Sequence, residues 1–233
     1  SNTDGTITST VSANVDAGFS IVTWTSPGLS SGQSATVGHG LSTTPDMIII
    51  KRRDSAGSWS VGTTSLGWGN FLYLDTTAAN GTSAGAWNNT APTSSVFTIG
   101  SYDHVSSGTQ VAYCFHSVEG FSNIGKYNGN GSADGPFVYT GFRPAWIMYK
   151  SADDADVWTI VDNKRSPENG DMKWLFPDSS GVETTESTWD LLSNGFKQRA
   201  NHPYTNTSGQ TYIYMAFAEN PLVAGNYVPT TAR

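Results

Sequence analysis

The chain has a single cysteine, Cys114, so no disulfide can form within it and no oxidising compartment staples the fold. Charge is scarce as well: Lys, Arg, Asp and Glu make up 13% of 233 residues, about half the usual share of roughly 25%. The balance is −7, and Lys51-Arg52-Arg53 is the only basic cluster. Nucleic acid is therefore not an expected partner, because phosphate binding runs on clustered Lys and Arg. The basic triplet reads as a solvated strand end. The longest apolar runs, such as "MIII" and "AWIMY", fall far short of a bilayer's thickness, so no membrane insertion is expected. The N-terminal "SNTDGTITST" has neither a basic n-region nor an apolar h-region, so no signal peptide is expected. Heptads and amphipathic helical stretches are missing too. These absences point to a soluble chain folded in a cytoplasm.

What fills the space is Gly, Ser, Thr and Asn, with 8 Trp, 10 Tyr and 10 Phe. Many aromatic and β-branched residues with little charge favour strands and tight turns, and argue against disorder. The stretch "TPDMIIIKRRDSAGSW" (Thr44 to Trp59) is echoed 99 residues later by "RPAWIMYKSADDADVW" (Arg143 to Trp158). Pro45/Pro144, Ile48/Ile147, Lys51/Lys150, Asp54/Asp153, Ala56/Ala155 and Trp59/Trp158 recur in the same order. Chance would give about one such match. "GFS" at Gly18–Ser20 returns at Gly120–Ser122, "FLYLD" at Phe71–Asp75 loosely as "WLFPD" at Trp174–Asp178, and Phe115 as Phe217. Trp87 aligns with Trp189, and Phe97 with Phe196.

About six short strands per copy, separated by Gly, Asn, Ser and Pro clusters, predict an all-β fold. The expected architecture is an antiparallel, jelly-roll-like β-sandwich with two sequence-similar halves packed without a linker. The expected bounds are a lead-in at 1–17, repeats at 18–119 and 120–221, and a tail at 222–233. Tandem sandwiches and one larger sandwich both fit. "DMIIIK" reads as a strand buried on both faces, and "STWDLL" as the one hint of a helical turn.

Duplication sorts the residues. Those present in both copies, such as Trp59/Trp158, Pro45/Pro144 and Phe115/Phe217, are expected to serve the fold. Trp68, in "LGWGN", has no counterpart and sits between two glycines, so it is a candidate exposed ring for stacking a sugar. The loop "YNGNGSADGPF" alternates Asn128, Asn130, Ser132 and Asp134. It is a turn, and its Asn128, Asn130 and Asp134 are candidates for ordering sugar hydroxyls. The same spacing loosely resembles a calcium loop, without its first Asp and its bidentate Glu. Asp154 and Asp156, beside Asp153 in "SADDADVW", are further calcium candidates or a solvated hairpin tip. No other cofactor is expected.

Enzymatic signals are weak. Glu183, Glu186 and Asp190 form the densest acidic group, with no opposing carboxylate visible. His39, His104, His116 and His202 form no zinc-type pair, and Cys114 with His116 lacks a third group to orient a thiol nucleophile. No nucleophile elbow, P-loop or dinucleotide fingerprint occurs.

The segments "WNNTAPTSSVFTIGS" (Trp87–Ser101), "VAYCFHSVEGFSNIGKYNGNGSADGPFVYTGFRPAW" (Val111–Trp146) and "YIYMAFAENP" (Tyr212–Pro221) resemble a repeat domain of tail-fibre-like structural proteins in marine tailed bacteriophages. The resemblance covers most of residues 18–221 and brings no catalytic residues with it. It implies a virion part, assembled in the host bacterial cytoplasm and then extracellular, as a homo-oligomer or in repeated display. One departure separates the copies: His116-Ser117 in the first stands where the second has Ala218-Glu219. The function expected is non-enzymatic binding of host-surface polysaccharide. The alternatives are a structural or capsid-decoration protein contacting other virion subunits, and a polysaccharide-degrading virion enzyme.

Overall fold

A computed structural model describes residues 1–221; the tail expected at 222–233 lies outside the described residues. The chain divides into two compact units, Ser1–Asp75 with Asn80–His116, and Thr76–Ala79 with the chain from Ser117 onward. Both are antiparallel, sandwich-like and almost free of helix.

In the first unit β1 (Thr10–Asn14), β2 (Phe19–Pro27), β3 (Ala35–Gly38), β4 (Met47–Arg52), β5 (Ser60–Thr63), β6 (Asn70–Tyr73) and β7 (Gly81–Thr82) lead to a one-turn helix, α1 (Ala84–Trp87). Then come β8 (Val96–Ile99), a second single turn, α2 (Asp103–Ser106), and β9 (Ser107–Phe115). One sheet has the order β1-β2-β9-β4-β5-β6-β7, and β3 pairs with β8 in a second. Val22, Trp24, Ile48, Ile50 and Ala112 from the large sheet meet Val37, Phe97 and Ile99 from the small one in a single core. The run "MIII" is buried at all four positions, because β4 lies inside the sheet between β9 and β5.

The segment expected as a lead-in is part of the fold. β1 pairs with β2, and Ile7 bridges Val37 of β3 in parallel. Thr6 and Thr36 exchange hydrogen bonds, each backbone N–H donating to the other's hydroxyl at 2.8 and 2.9 Å. Residues 2–14 thus strap the edges of both sheets, which would otherwise offer unpaired backbone groups.

The second unit runs β10 (Ser122–Asn128), β11 (Phe137–Tyr139), β12 (Pro144–Ser151), β13 (Thr159–Asp162), β14 (Met172–Trp174), β15 (Thr184–Glu186), β16 (Trp189–Leu192), β17 (Gly195–Gln198), one turn of helix, α3 (Pro203–Asn206), and β18 (Thr211–Ala218). Its sheets are β10-β18-β12-β13, β11-β17-β16 and β14-β15. Tyr149 and Tyr214 from the first face Trp189 and Phe196 from the second in one aromatic core.

The strand registers repeat between the units. Met47 lies opposite Phe115, and Trp146, 99 residues on from Met47, lies opposite Phe217. Two sequence expectations change. The "GFS" echo is out of step by one residue, since Phe19 faces Phe115 whereas Ser122 faces Phe217. The slip puts Tyr127, not Lys126, in the place of Trp24; a one-residue shift exchanges the faces of a strand. "STWDLL" holds a strand, β16, in which Trp189 and Leu191 are buried and Asp190 and Leu192 less so. Its alternation of period two outweighs the helical propensity of two leucines. Trp87, the partner of Trp189, ends the helix α1, and both indoles have no exposed surface.

Candidate functional site

Trp68 is not a stacking platform: its side chain is 5% exposed. The turn after β5 folds back on itself, Gly67 N–H donating to Thr63 O at 3.1 Å and the Asn70 amide to Leu66 O at 2.6 Å. That aims the indole inward, edge-on to Trp87 at 5.1 Å between centroids, with Nε1 donating to Thr64 Oγ1 at 3.3 Å. The space exists because residue 62 has no side chain. A Cβ there would lie 2.5 Å from Trp87 and 2.6 Å from Trp68.

The loop after β10 is a turn that satisfies itself. Asn130 Nδ2 donates to Asp134 O at 2.9 Å, and its Oδ1 accepts from Ser132 N–H at 3.0 Å. Asn206 Oδ1 accepts from the Asn130 backbone N–H at 2.8 Å. Asn128 closes β10, exposed, opposite Thr211. The Asp134 carboxylate pairs with Lys197 at 2.8 Å, and that ammonium, acting as hydrogen-bond partner and as charge, lowers its pKa. Asn130 Oδ1, Ser132 Oγ and one Asp134 oxygen are thus engaged by protein donors.

The acidic hairpin is organised around Lys150. This side chain has no exposed surface, and its Nζ donates to the carbonyls of Ser151 at 2.6 Å and Asp154 at 2.9 Å. Burial lowers its pKa to about 8, while Asp156, Asp178 and Asp154 pull the other way. Burial likewise raises the pKa of Asp156 and Asp178. Asp153 accepts from Thr211 N–H at 2.6 Å, and Asp154 accepts from the Gln210 amide. Asp153 and Asp154 therefore serve the seating of this hairpin, while the Asp156 carboxylate acts on Lys150 through its charge. No group of three or more His, Cys, Asp or Glu suited to a metal ion occurs among the described residues.

Two of the other three acidic candidates are also paired. Glu183 meets Arg165 at 2.9 Å and Asp190 meets Arg199 at 2.5 Å. Cys114 is fully buried and its thiol is pushed up to about 12 by desolvation, which removes its nucleophilicity. His39 is buried, its Nδ1 accepting from Leu41 N–H and its Nε2 facing Thr93 O.

The exposed rings lie elsewhere. Phe137 and Tyr139 are 45% and 67% exposed and project from one face of β11, with Val138 turned into the core between them. Two residues along a strand set the rings about 7 Å apart. Phe137 leans over Gly195 of the neighbouring strand, and Tyr139 reaches towards Gly141. Lys197, opposite Phe137, and Asp190, opposite Lys197, share that face. Two rings and two ion pairs, Lys197–Asp134 and Asp190–Arg199, make a surface with an apolar centre and a polar border. Of the residues expected to bind ligand, the structure brings Asp134 to this surface. Nothing in the sequence marks the outer face of this three-residue strand, since Phe137, Val138 and Tyr139 are all apolar. Its counterparts in the first unit, set by Val37 facing Phe97 as Val138 faces Phe196, are the small residues Thr36 and Gly38.

Fold and surface together define a duplicated all-β module whose second copy alone presents exposed paired rings. Residues 1–221 match the family described as a domain of unknown function (DUF7483), and the chain belongs to that family. No curated protein and no solved structure matches it.

Proposed function

We propose that the protein is a non-catalytic glycan-binding module, displayed on the virion of a tailed phage, that attaches to polysaccharide on the host surface. The observation that carries the binding is the pair Phe137 and Tyr139, solvent-facing on a strand with charged hydrogen-bonding groups at its border. A sugar ring has an apolar face and a polar rim, and such a surface complements both. The virion setting rests on the resemblance of the repeat segments. Single sites of this kind are weak, and repeated display raises avidity by about 10²–10⁴. The test is an array of bacterial and algal glycans probed with the multimerised protein. A hit that disappears in Tyr139→Ala or Phe137→Ala supports the reading. Silence on an array that includes the host envelope sinks it.

A second reading, contact with other virion subunits, is favoured by one observation. β10 and β11 pair on one side only, with β18 and β17, and among the described residues have no strand on the other side, where β10 meets just a bridge from Val118 to Ser122, whereas their counterparts β2 and β3 are strapped by residues 2–14. An open edge pairs readily with another chain. Concentration-dependent self-association in sedimentation, blocked by Tyr139→Pro, which removes an outward-facing N–H of β11, but not by Tyr139→Ala, would favour assembly over adhesion.

A further inference from the structure

The strap across the first unit does more than cover edges. Where it passes β2 it encloses a groove of about 270 Å³ lined by hydroxyls, among them Thr8, Thr10, Thr23, Thr25 and Thr109, with Arg53 at one side. The sheet register explains this composition. Thr10 faces Thr23, and Thr25 faces Thr109, so four hydroxyls share the face opposite Trp24 and the core. Arg53, just beyond β4, donates its backbone N–H to Thr109 O at 2.8 Å, which fixes it beside that row. Its neighbour Arg52 is taken by Asp54 at 2.7 Å, and Asp54 also accepts from Thr109 N–H. The Arg53 guanidinium is exposed and has no ion-pair partner among the described residues. In a chain of net charge −7, an unneutralised cation set into a hydroxyl row is a local reversal of sign.

We propose that this groove binds a sugar unit carrying one anionic group, a carboxylate or a sulfate, with Arg53 on the anion and the threonines on the ring hydroxyls. The volume lies just below the roughly 300 Å³ at which ligand pockets begin, which suits about one sugar ring. A guanidinium matches the planar fork of a carboxylate or two oxygens of a sulfate. One cation is too few for a polyphosphate, which needs several neutralising contacts. The site belongs to the first unit and does not depend on the rings of the second, so the two can succeed or fail separately.

The test is titration calorimetry of the whole chain, at low salt, with three oligosaccharide series of equal length: a uronic acid, a sulfated hexose and the neutral hexose. Binding of one or both anionic series, weakened about tenfold or more by Arg53→Gln, restored in part by Arg53→Lys and unchanged by Tyr139→Ala, is the expected result. The two anionic arms tell carboxylate from sulfate. Equal binding of the neutral series, binding indifferent to Arg53→Gln, or no binding to either anionic series overturns the proposal. Loss through Tyr139→Ala alone overturns it too, while leaving the surface of the second unit intact.

Discussion

Trp68→Ala separates a fold residue from a binding residue. The indole is 5% exposed and lies against Trp87 across Gly62. A Trp buries on the order of 150–250 Å², which at about 25 cal/mol per Å² amounts to roughly 4–6 kcal/mol. Large-to-small substitutions in packed cores cost about 3–5 kcal/mol for Phe or Trp to Ala. The two routes agree on about 4 kcal/mol, a large part of the roughly 5–15 kcal/mol that holds a domain together. Tyr139→Ala, at 67% exposure, should change stability by less than about 0.5 kcal/mol. Because two units can unfold in separate steps, amide hydrogen exchange under increasing urea is the suitable assay, with β4 and β9 reporting the first unit and β12 and β18 the second. The expected outcome is a loss of protection in the first unit for Trp68→Ala and none in either for Tyr139→Ala. If Trp68→Ala costs less than about 1 kcal/mol and instead abolishes glycan binding, the ring is exposed in solution and the packing argument fails.

Three further outcomes follow from the same core. Gly62→Ala puts a methyl 2.5 Å from Trp87 and 2.6 Å from Trp68, so it should cost about 1–3 kcal/mol by overpacking, read as a lowered midpoint in urea. Burial lowers the pKa of His39 against the opposing pulls of Thr93 O and Asp4, so the unfolded chain takes up the proton first as pH falls. Stability of the first unit is therefore full above the ordinary value of about 6.5 and declines below it. An NMR titration in which His39 protonates above that value contradicts this. Cys114, buried with its thiol at about 12, should resist alkylation in the native protein and react at the rate of unfolding. Rapid labelling of the native protein would show that β9 is open to solvent.

Much of the scaffold was written plainly in the chain. The continuous run "MIII" announces a strand with neighbours on both sides, and β4 is one. Pro45 and Pro144, matched in the repeat, are both buried at the start of matched strands. Other features depend on partners distant in sequence. The fate of Trp68 was decided by the missing side chain at Gly62 and the ring of Trp87, neither of which its own turn reveals. The shifted register of β10 could not be seen from "GFS", because the pairing is set by β18, more than 80 residues away. The residues before β2 read as a lead-in although Ile7, Val11, Ala13 and Val15 alternate with polar neighbours, a strand signal that the lead-in reading passed over, and two sheet edges waiting for hydrogen bonds order them. Phe137 and Tyr139 were hidden because a strand of three residues, "FVY", is too short for periodicity to declare which side faces out.

One row across the large sheet of each unit bears on how freely the copies can be recombined. In the first unit the row reads Val22, Ala112, Ile50; in the second, Gly125, Tyr214, Tyr149. The Tyr214 ring fills what a side chain at position 125 would occupy, a Cβ there lying 2.8 Å from its hydroxyl, and that hydroxyl donates to Asn123 at 2.6 Å. Swapping β2 for β10 alone would drive a valine into the tyrosine, and swapping β9 for β18 alone would force the tyrosine against Val22. Only the strands exchanged together keep the row filled. The duplicates have ceased to be spare parts for each other, and a chimera of the two copies must be cut where whole sheets, not single strands, change hands.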